Sequence, residues 1–246
     1  MIIVRRLCDV NLLRDRDRLI AAMETDIFSA AGYAGVPAVL SHADCDAAIR
    51  HVEALALTQA GSRNLLALPW CAQLVALLKS NPVVSAQLPL KAVAVQCTLF
   101  EKTATRNWGV AIHQDLSIPV RERVTVPGCT GWSRKEGVHY TQPPAAVLAE
   151  LVALRLHLDP CPPQAGPLRV VPGSHRDGRL SDAEIERLRT QNGEVECTAG
   201  RGDALLMRPL LLHTSSRVTG NDARRVLHFL FGPPALPYGL SWQDSV

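Results

Sequence analysis

From Pro89 onward the chain breaks into short β-branched runs set between proline and glycine turns, a texture that few folds accommodate. Ala92–Phe100, Val110–Ser117, Val152–Leu158, Leu168–Val171, Ala204–Leu212 and Val226–Phe231 read as strands. Between them lie Val126-Pro-Gly, Pro160-Cys-Pro-Pro, Gly166-Pro, Pro172-Gly and Thr219-Gly-Asn-Asp. No helices alternate with these strands, which points to an antiparallel sandwich or barrel rather than a parallel sheet. One short charged helix, Asp182–Arg189, is entered through Ser181.

Ahead of Pro89 the periodicity is helical. Leu12, Leu13, Leu19, Ile20, Met23 and Ile27 recur at helical spacing, with the charge run Arg14–Arg18 as a solvated face. Ser41 followed by Asp44 opens a second helix through Leu57, and Pro69–Leu78 forms a third that Asn81-Pro82 ends. The expectation is one α+β domain over residues 1–246, with a helical flank over about 1–90 and a mainly β core over about 91–232.

Composition narrows the partners. A net charge of +3, with 26 basic and 23 acidic residues and no basic cluster, speaks against nucleic acid or a membrane surface. The apolar run Leu65–Leu78 is interrupted by Pro69 and Gln73 and is too short to span a bilayer. Seven scattered cysteines without a C-x-x-C read as small buried hydrophobes in a reducing compartment. With no cleavable apolar leader at Met1, a cytoplasmic protein is expected.

The chemistry starts at His113-Gln-Asp115. Residues i and i+2 of a strand share a face, so His113 and Asp115 reach one ion while Gln114 points away. His213, at the end of the apolar run from Ala204, supplies a second imidazole from another strand; the alternative is a core histidine bonded to a carbonyl. Two imidazoles and one carboxylate make the facial triad of non-haem Fe(II) oxygenases, which leaves three positions for a cosubstrate and O2. A dicarboxylate bound to that iron needs a fork-shaped cation at its far end. If Ala204–His213 turns back at Thr219-Gly-Asn-Asp into the strand from Arg224, then Arg224 and Arg225 flank the mouth on opposite faces, and parity does not choose between them. Ser215 shares the parity of His213 and offers a hydroxyl to the same carboxylate.

Other polar residues divide between structure and substrate. His175 reads as a turn-stabilising residue; His228 shares the strand parity of Arg224, which would put it near the site, but reads first as a satisfied core histidine. His157 lies with Arg155 and Asp159 on the polar face of a strand. His42 and His51 have no ligand partners. Arg208 sits inside an apolar run, so it is paired or faces a polar cavity, where it would meet a substrate carboxylate. The segment Arg121–Pro144 is long for a connection and reads as a lid, with Trp132 and Gln142 as substrate contacts; Trp132 has the alternative of packing on the barrel.

Taken in order, His113-Gln-Asp-Leu, Gly166-Pro-Leu-Arg-Val-Val-Pro-Gly-Ser-His175, His213-x-Ser215 and an arginine eleven residues past His213 resemble the phytanoyl-CoA dioxygenase-like Fe(II)/2-oxoglutarate oxygenases. The likeness spans roughly residues 90–232. It implies a double-stranded β-helix, a jelly-roll barrel related to the cupins. It also implies Fe(II) on His113, Asp115 and His213, with 2-oxoglutarate and O2 as cosubstrates. The family spacing selects Arg224 over Arg225, with Ser215 beside it, and places Gln96 where relatives touch the cosubstrate; otherwise Gln96 is a solvent-facing strand residue. Because Asp115 is present, hydroxylation is expected over halogenation. The implied substrate is a small molecule, such as an amino acid or secondary metabolite, oxidised by a monomer or weak dimer. The competing expectation is a metal-binding barrel, an isomerase or binding module, that dispenses with 2-oxoglutarate and with Arg224.

Overall fold

The computed structural model describes residues 27–56, 61–103, 105–220 and 223–246. The helix expected before Ile27, with its charge run, lies outside them. Along the chain follow β1 (Tyr33–Val36), α1 (His42–Ala54), α2 (Pro69–Ser80), α3 (Pro82–Gln87), β2 (Val93–Lys102), β3 (Val110–His113), β4 (Ile118–Val120), β5 (Thr130–Lys135) and β6 (Val138–Gln142). Then come α4 (Ala145–Ala149), β7 (Val152–His157), β8 (Leu168–Val170), α5 (Asp182–Asn192), β9 (Val195–Cys197), β10 (Ala204–Met207), β11 (His213–Ser215) and β12 (Arg224–Gly232).

Local chemistry sets the helix ends. The Ser41 side chain accepts from the Asp44 amide at the start of α1. Asn81-Pro82 ends α2 as expected and at once begins α3, because the Asn81 side chain accepts from the amides of Val83 and Val84 while Pro82 fills a first-turn position that needs no N–H. Ser181 and Glu184 form a reciprocal capping box at α5, which runs three residues past the expected Arg189. Among the described residues no helix is long and apolar enough to cross a membrane.

Every strand pairing within the three sheets is antiparallel. A five-stranded sheet has the order β1-β10-β7-β12-β2, a four-stranded sheet β3-β11-β8-β9, and a three-stranded sheet β4-β6-β5. The large sheet is buried on both faces. Leu154, Leu156, Leu158, Leu227, Phe229 and Phe231 pack outward against the helical layer, with Cys71, Leu74 and Leu78 of α2 in the same cluster. Ala153, Leu205, Met207 and Leu230 face the other way, onto Leu168 and Val170 of the four-stranded sheet. The barrel interior lies between the two sheets, and strand parity decides which residues enter it. Gln96 shares the parity of Thr98 and Lys102 and so enters the cavity, while a bulge at Val95, where Leu230 pairs with Gln96 but Phe231 with Ala94, shifts the parity and turns Val95 and Val93 onto the inner cluster.

Several sequence expectations need correction. The N-terminal flank is not wholly helical, since β1 adds an edge strand to the large sheet. Ala204–Leu212 is not one strand: β10 stops at Met207, Arg208 donates its amide to the Gly32 carbonyl, and Pro209, without an N–H, cannot continue a ladder. The chain there crosses from one sheet to the other. The expected hairpin of the Ala204–His213 run with Arg224–Phe231 therefore does not form, and β12 pairs with β2 and β7 instead. Val110–Ser117 likewise divides, leaving Asp115 in the irregular stretch between β3 and β4. Arg121–Pro144 is not a plain connection, because β5 and β6 form a hairpin within it, and its Lys135, Tyr140 and Gln142 line the cavity.

Candidate active site

His113 and His213 are directly opposed on β3 and β11, and Asp115 follows two residues after His113. One ligand atom from each of the three lies within 4.8 Å of the other two. Asp115 Oδ1 is 3.6 Å from His113 Nε2, and its Oδ2 is 3.7 Å from His213 Nε2. Each ring is oriented by its own strand: His113 Nδ1 lies 2.8 Å from the Ala111 carbonyl and His213 Nδ1 2.9 Å from that of Leu211. A carbonyl only accepts, so both Nδ1 atoms carry the proton and both Nε2 lone pairs face Asp115.

The residues around the triad hold it in place. The Gln114 side chain is held away from the triad by its own partners: it donates to the carbonyls of Gly178 and Leu210 and accepts from the Leu180 amide. The Asp115 amide is bonded to the Pro209 carbonyl, 2.8 Å away. Ser174, in the Pro172-Gly-Ser-His175 turn, accepts from the Leu212 amide immediately before His213 and donates to Val171. That turn is thus a clamp on the strand carrying the second imidazole.

Across a cavity of about 360 Å³ the large sheet presents cations. Arg224 and Lys102 are register partners on β12 and β2, and both face inward. Lys102 Nζ donates to Ser215 Oγ at 3.1 Å and to the Ser216 carbonyl at 2.7 Å, joining the two sheets at the end away from the triad. Arg224 donates to the Gly166 carbonyl. Gly166 has φ +62°, and a Cβ there would meet the Ser216 carbonyl at 2.5 Å, so this approach requires glycine. Arg225 has the opposite parity and faces the helices, bonded to Asp159 and Glu53.

Charge in the cavity is set by burial and by these neighbours. Burial alone would raise the Asp115 carboxyl, but His213, His113 and His228 outweigh it and hold it well below the usual carboxylate range. Burial lowers His213, whereas the Asp115 carboxylate beside it raises His113. Lys102 is pushed down to about 8 by burial, then by Arg224 and Arg155.

The remaining expected residues scatter. Gln96 and Gln142 line the cavity. Trp132 does not; it packs against the inner apolar cluster with Arg123 over its ring. Arg208 also lies outside the cavity, over the Phe28 ring and near the carbonyls of Ala149 and Leu151, so its charge is met by a ring face and backbone rather than by a substrate. His157 has the parity read from the sequence, but that face is the buried interior, where neither ring nitrogen has a hydrogen-bond partner among the described residues. His228, buried as expected, also lines the cavity. Sequence reasoning does not single out Lys102 and Arg155, which line it too. Their signal is a polar residue at every second position of β2 and β7, which reads as a solvent face because nothing local shows that the large sheet is covered on both sides.

The donor set fits a first-row divalent ion: two neutral imidazoles with free Nε2 lone pairs beside an ionised carboxylate. At the other end the buried Arg224 Nε has no partner among the described residues, as suits a guanidinium whose carboxylate arrives with a ligand. The fold is a jelly-roll barrel, and at one end of its cavity lies a His-Asp-His cluster whose geometry could hold one metal ion. The family model described as phytanoyl-CoA dioxygenase matches residues 28–226, and the chain belongs to that family.

Solved structures share the fold. The 2-oxoglutarate-dependent epimerase SnoN of nogalamycin biosynthesis superposes with a TM-score of 0.65 at 15% identity, covering 93% of this chain and 90% of its own. The carbocyclase SnoK from the same biosynthesis gives 0.63 at 16%, covering 91% and 92%. HygX from Streptomyces hygroscopicus, with nickel and 2-oxoglutarate bound, gives 0.58 at 17%, covering 88% of each chain. No curated protein sequence matches the chain.

Proposed function

We propose that this chain is a single-domain Fe(II)- and 2-oxoglutarate-dependent oxygenase that hydroxylates a C–H bond of a small molecule. One observation carries the reading: the His113–Asp115–His213 triad, at the four-stranded sheet, faces the buried Arg224 of the large sheet across a single cavity. Iron held by the triad supplies the redox chemistry that couples decarboxylation of 2-oxoglutarate to oxidation of the substrate. The balance is one C–H bond, O2 and 2-oxoglutarate giving C–OH, succinate and CO2.

The chain's own residues position the reactants. Arg224, Ser215 and Lys102 take the distal carboxylate of 2-oxoglutarate, with Gln96 alongside the cosubstrate. The apolar wall of Ile118, Leu148 and Leu151 limits water at the reacting end, and Gln142 faces the substrate space. The presence of Asp115 as a third ligand supports hydroxylation, since it leaves no ligand gap for a halide. HygX supports the cosubstrate, as its structure carries 2-oxoglutarate. SnoN and SnoK support a small-molecule substrate, being an epimerase and a carbocyclase on this fold.

Anaerobic titration with Fe(II) and then 2-oxoglutarate tests the reading through the visible charge-transfer band of the chelate. A saturable band in the wild type that is lost in His213→Ala is expected. Tight metal binding with no band would instead favour a barrel that uses a divalent ion without 2-oxoglutarate.

A further inference from the structure

The cavity lining contains Arg63, Lys102, Lys135, Arg155 and Arg224, against one carboxylate, Asp115. Arg63 is answered at the exposed edge by Glu136, 3.0 Å away. The interior cations are not. Lys102, Arg155 and Arg224 are 1%, 6% and 2% exposed, and none forms an ion pair with an acid among the described residues. A buried cation without a counter-charge is costly, so this cavity is built around anions.

The cosubstrate does not supply enough of them. A divalent ion on Asp115 leaves one positive charge, which the chelating carboxylate of 2-oxoglutarate cancels. Its distal carboxylate answers only one of the pair Arg224 and Lys102. Two positive charges then remain, and Arg155 is the cation not already tied to the distal end.

Arg155 is also held ready. It lies on β7, between β10 and β12, paired with Leu205 on one side and His228 on the other. Its guanidinium rests 5.3 Å over the Phe100 ring. Its Nη1 lies 3.2 Å from His228 Nδ1, and its buried Nε has no partner among the described residues. Arginine only donates, so His228 Nδ1 accepts and the His228 proton sits on Nε2, which points at Asp115 Oδ2 from 3.9 Å. His228 thus fixes Arg155 one imidazole away from the metal carboxylate, with donors left over for a ligand.

We propose that Arg155 reads a carboxylate or phosphate on the substrate, so that the molecule oxidised here is an anion. This rests on the oxygenase reading and adds the substrate class to it.

The test uses the full chain, loaded anaerobically with Fe(II) and saturating 2-oxoglutarate. Inorganic phosphate, propionate and the neutral isostere propionamide are added separately while the charge-transfer band and the melting temperature are followed. A saturable shift of the band or a rise in melting temperature is expected with phosphate or propionate and not with propionamide; the responding anion identifies the group. Arg155→Gln is expected to weaken that response by about tenfold or more while 2-oxoglutarate half-saturation stays near wild type, and Arg155→Lys to retain part of it. The proposal is overturned if neither anion acts on a wild type that shows the band, if the amide acts equally, or if Arg155→Gln responds as wild type does. It is equally overturned if Arg155→Gln raises the 2-oxoglutarate requirement as far as Arg224→Gln does, since the arginine would then belong to the cosubstrate. A wild type without the band removes the oxygenase reading itself, and the proposal with it.

Discussion

His113 and His213 are Cα partners on adjacent antiparallel strands, and their ring centroids stand 4.2 Å apart. Each ring is tethered through Nδ1 to the carbonyl two residues before it, so one local device, used twice, aims both Nε2 atoms at Asp115. The two imidazoles are therefore oriented by the fold itself, an arrangement that would lower the ordering cost of binding an ion.

Removing either imidazole leaves a two-ligand site. His113→Ala and His213→Ala are each expected to reduce Fe(II) affinity by at least about 100-fold, the upper end of what disturbing a ligand's surroundings already costs. Competition against a metal-binding dye measures this. A loss below tenfold in both variants would mean the ion binds elsewhere.

Neighbouring arginines on β12 should separate cleanly. Arg224→Ala is expected to raise 2-oxoglutarate half-saturation by about 30- to 1000-fold, with Fe(II) affinity unchanged, as follows from deleting one partner of a buried charge pair. Arg225→Ala should leave that titration alone and cost about 1–2 kcal/mol in urea unfolding, because its partners are Asp159 and Glu53. Equal 2-oxoglutarate defects in the two variants would contradict the assignment of inward and outward faces.

Ser174 is fully buried and accepts the Leu212 amide at 2.9 Å. Ser174→Ala orphans that N–H and frees the residue before His213. A loss of about 1–3 kcal/mol in stability is expected, together with a drop in Fe(II) affinity of about tenfold. Unfolding curves and metal competition on the same variant check the pair, and a stability loss without any change in metal binding would refute the clamp.

Burial, with Arg155 and Arg224 beside it, pushes His157 from the ordinary 6.5 down to about 3. Folding therefore keeps His157 neutral over a range where the unfolded chain protonates it. Its stabilising contribution is complete above about pH 6.5 and is lost as pH falls toward 3, with the unfolded state binding more protons throughout that window. Urea unfolding of the metal-free protein between pH 6 and 4 should show a slope that His157→Gln reduces by about 1.4 kcal/mol per pH unit. An unchanged slope would place His157 in contact with solvent.

Much of the site could be read from residues alone, and for stated reasons. The H-x-D spacing, the second histidine and the serine two residues later are local, and strand parity with the family pattern identified them. Gln114 does turn away from the triad, but past the end of β3 it is the carbonyls of Gly178 and Leu210 and the Leu180 amide that hold it there. The apolar run Ala204–Leu212 misled because hydrophobicity registers burial and not direction: its two halves are both buried but lie in different sheets, with Arg208 and Pro209 at the crossing. Trp132 and Arg208 were expected in the cavity on chemical grounds, yet an aromatic ring and a guanidinium each found apolar or backbone partners elsewhere.

The sequence by itself determined the H-x-D pair of the candidate site, the capping of α1 and α5 and the antiparallel β character of the core, all of which depend on residues within a few positions of one another. Only the tertiary structure decided that β12 lies between β2 and β7, that the large sheet is covered on both faces, and that its inward positions hold Lys102, Arg155 and Arg224. The physical reason is that strand partners are chosen by long-range burial of two apolar faces at once. A polar residue at every second position has the same pattern whether the other side is water or the inside of a barrel.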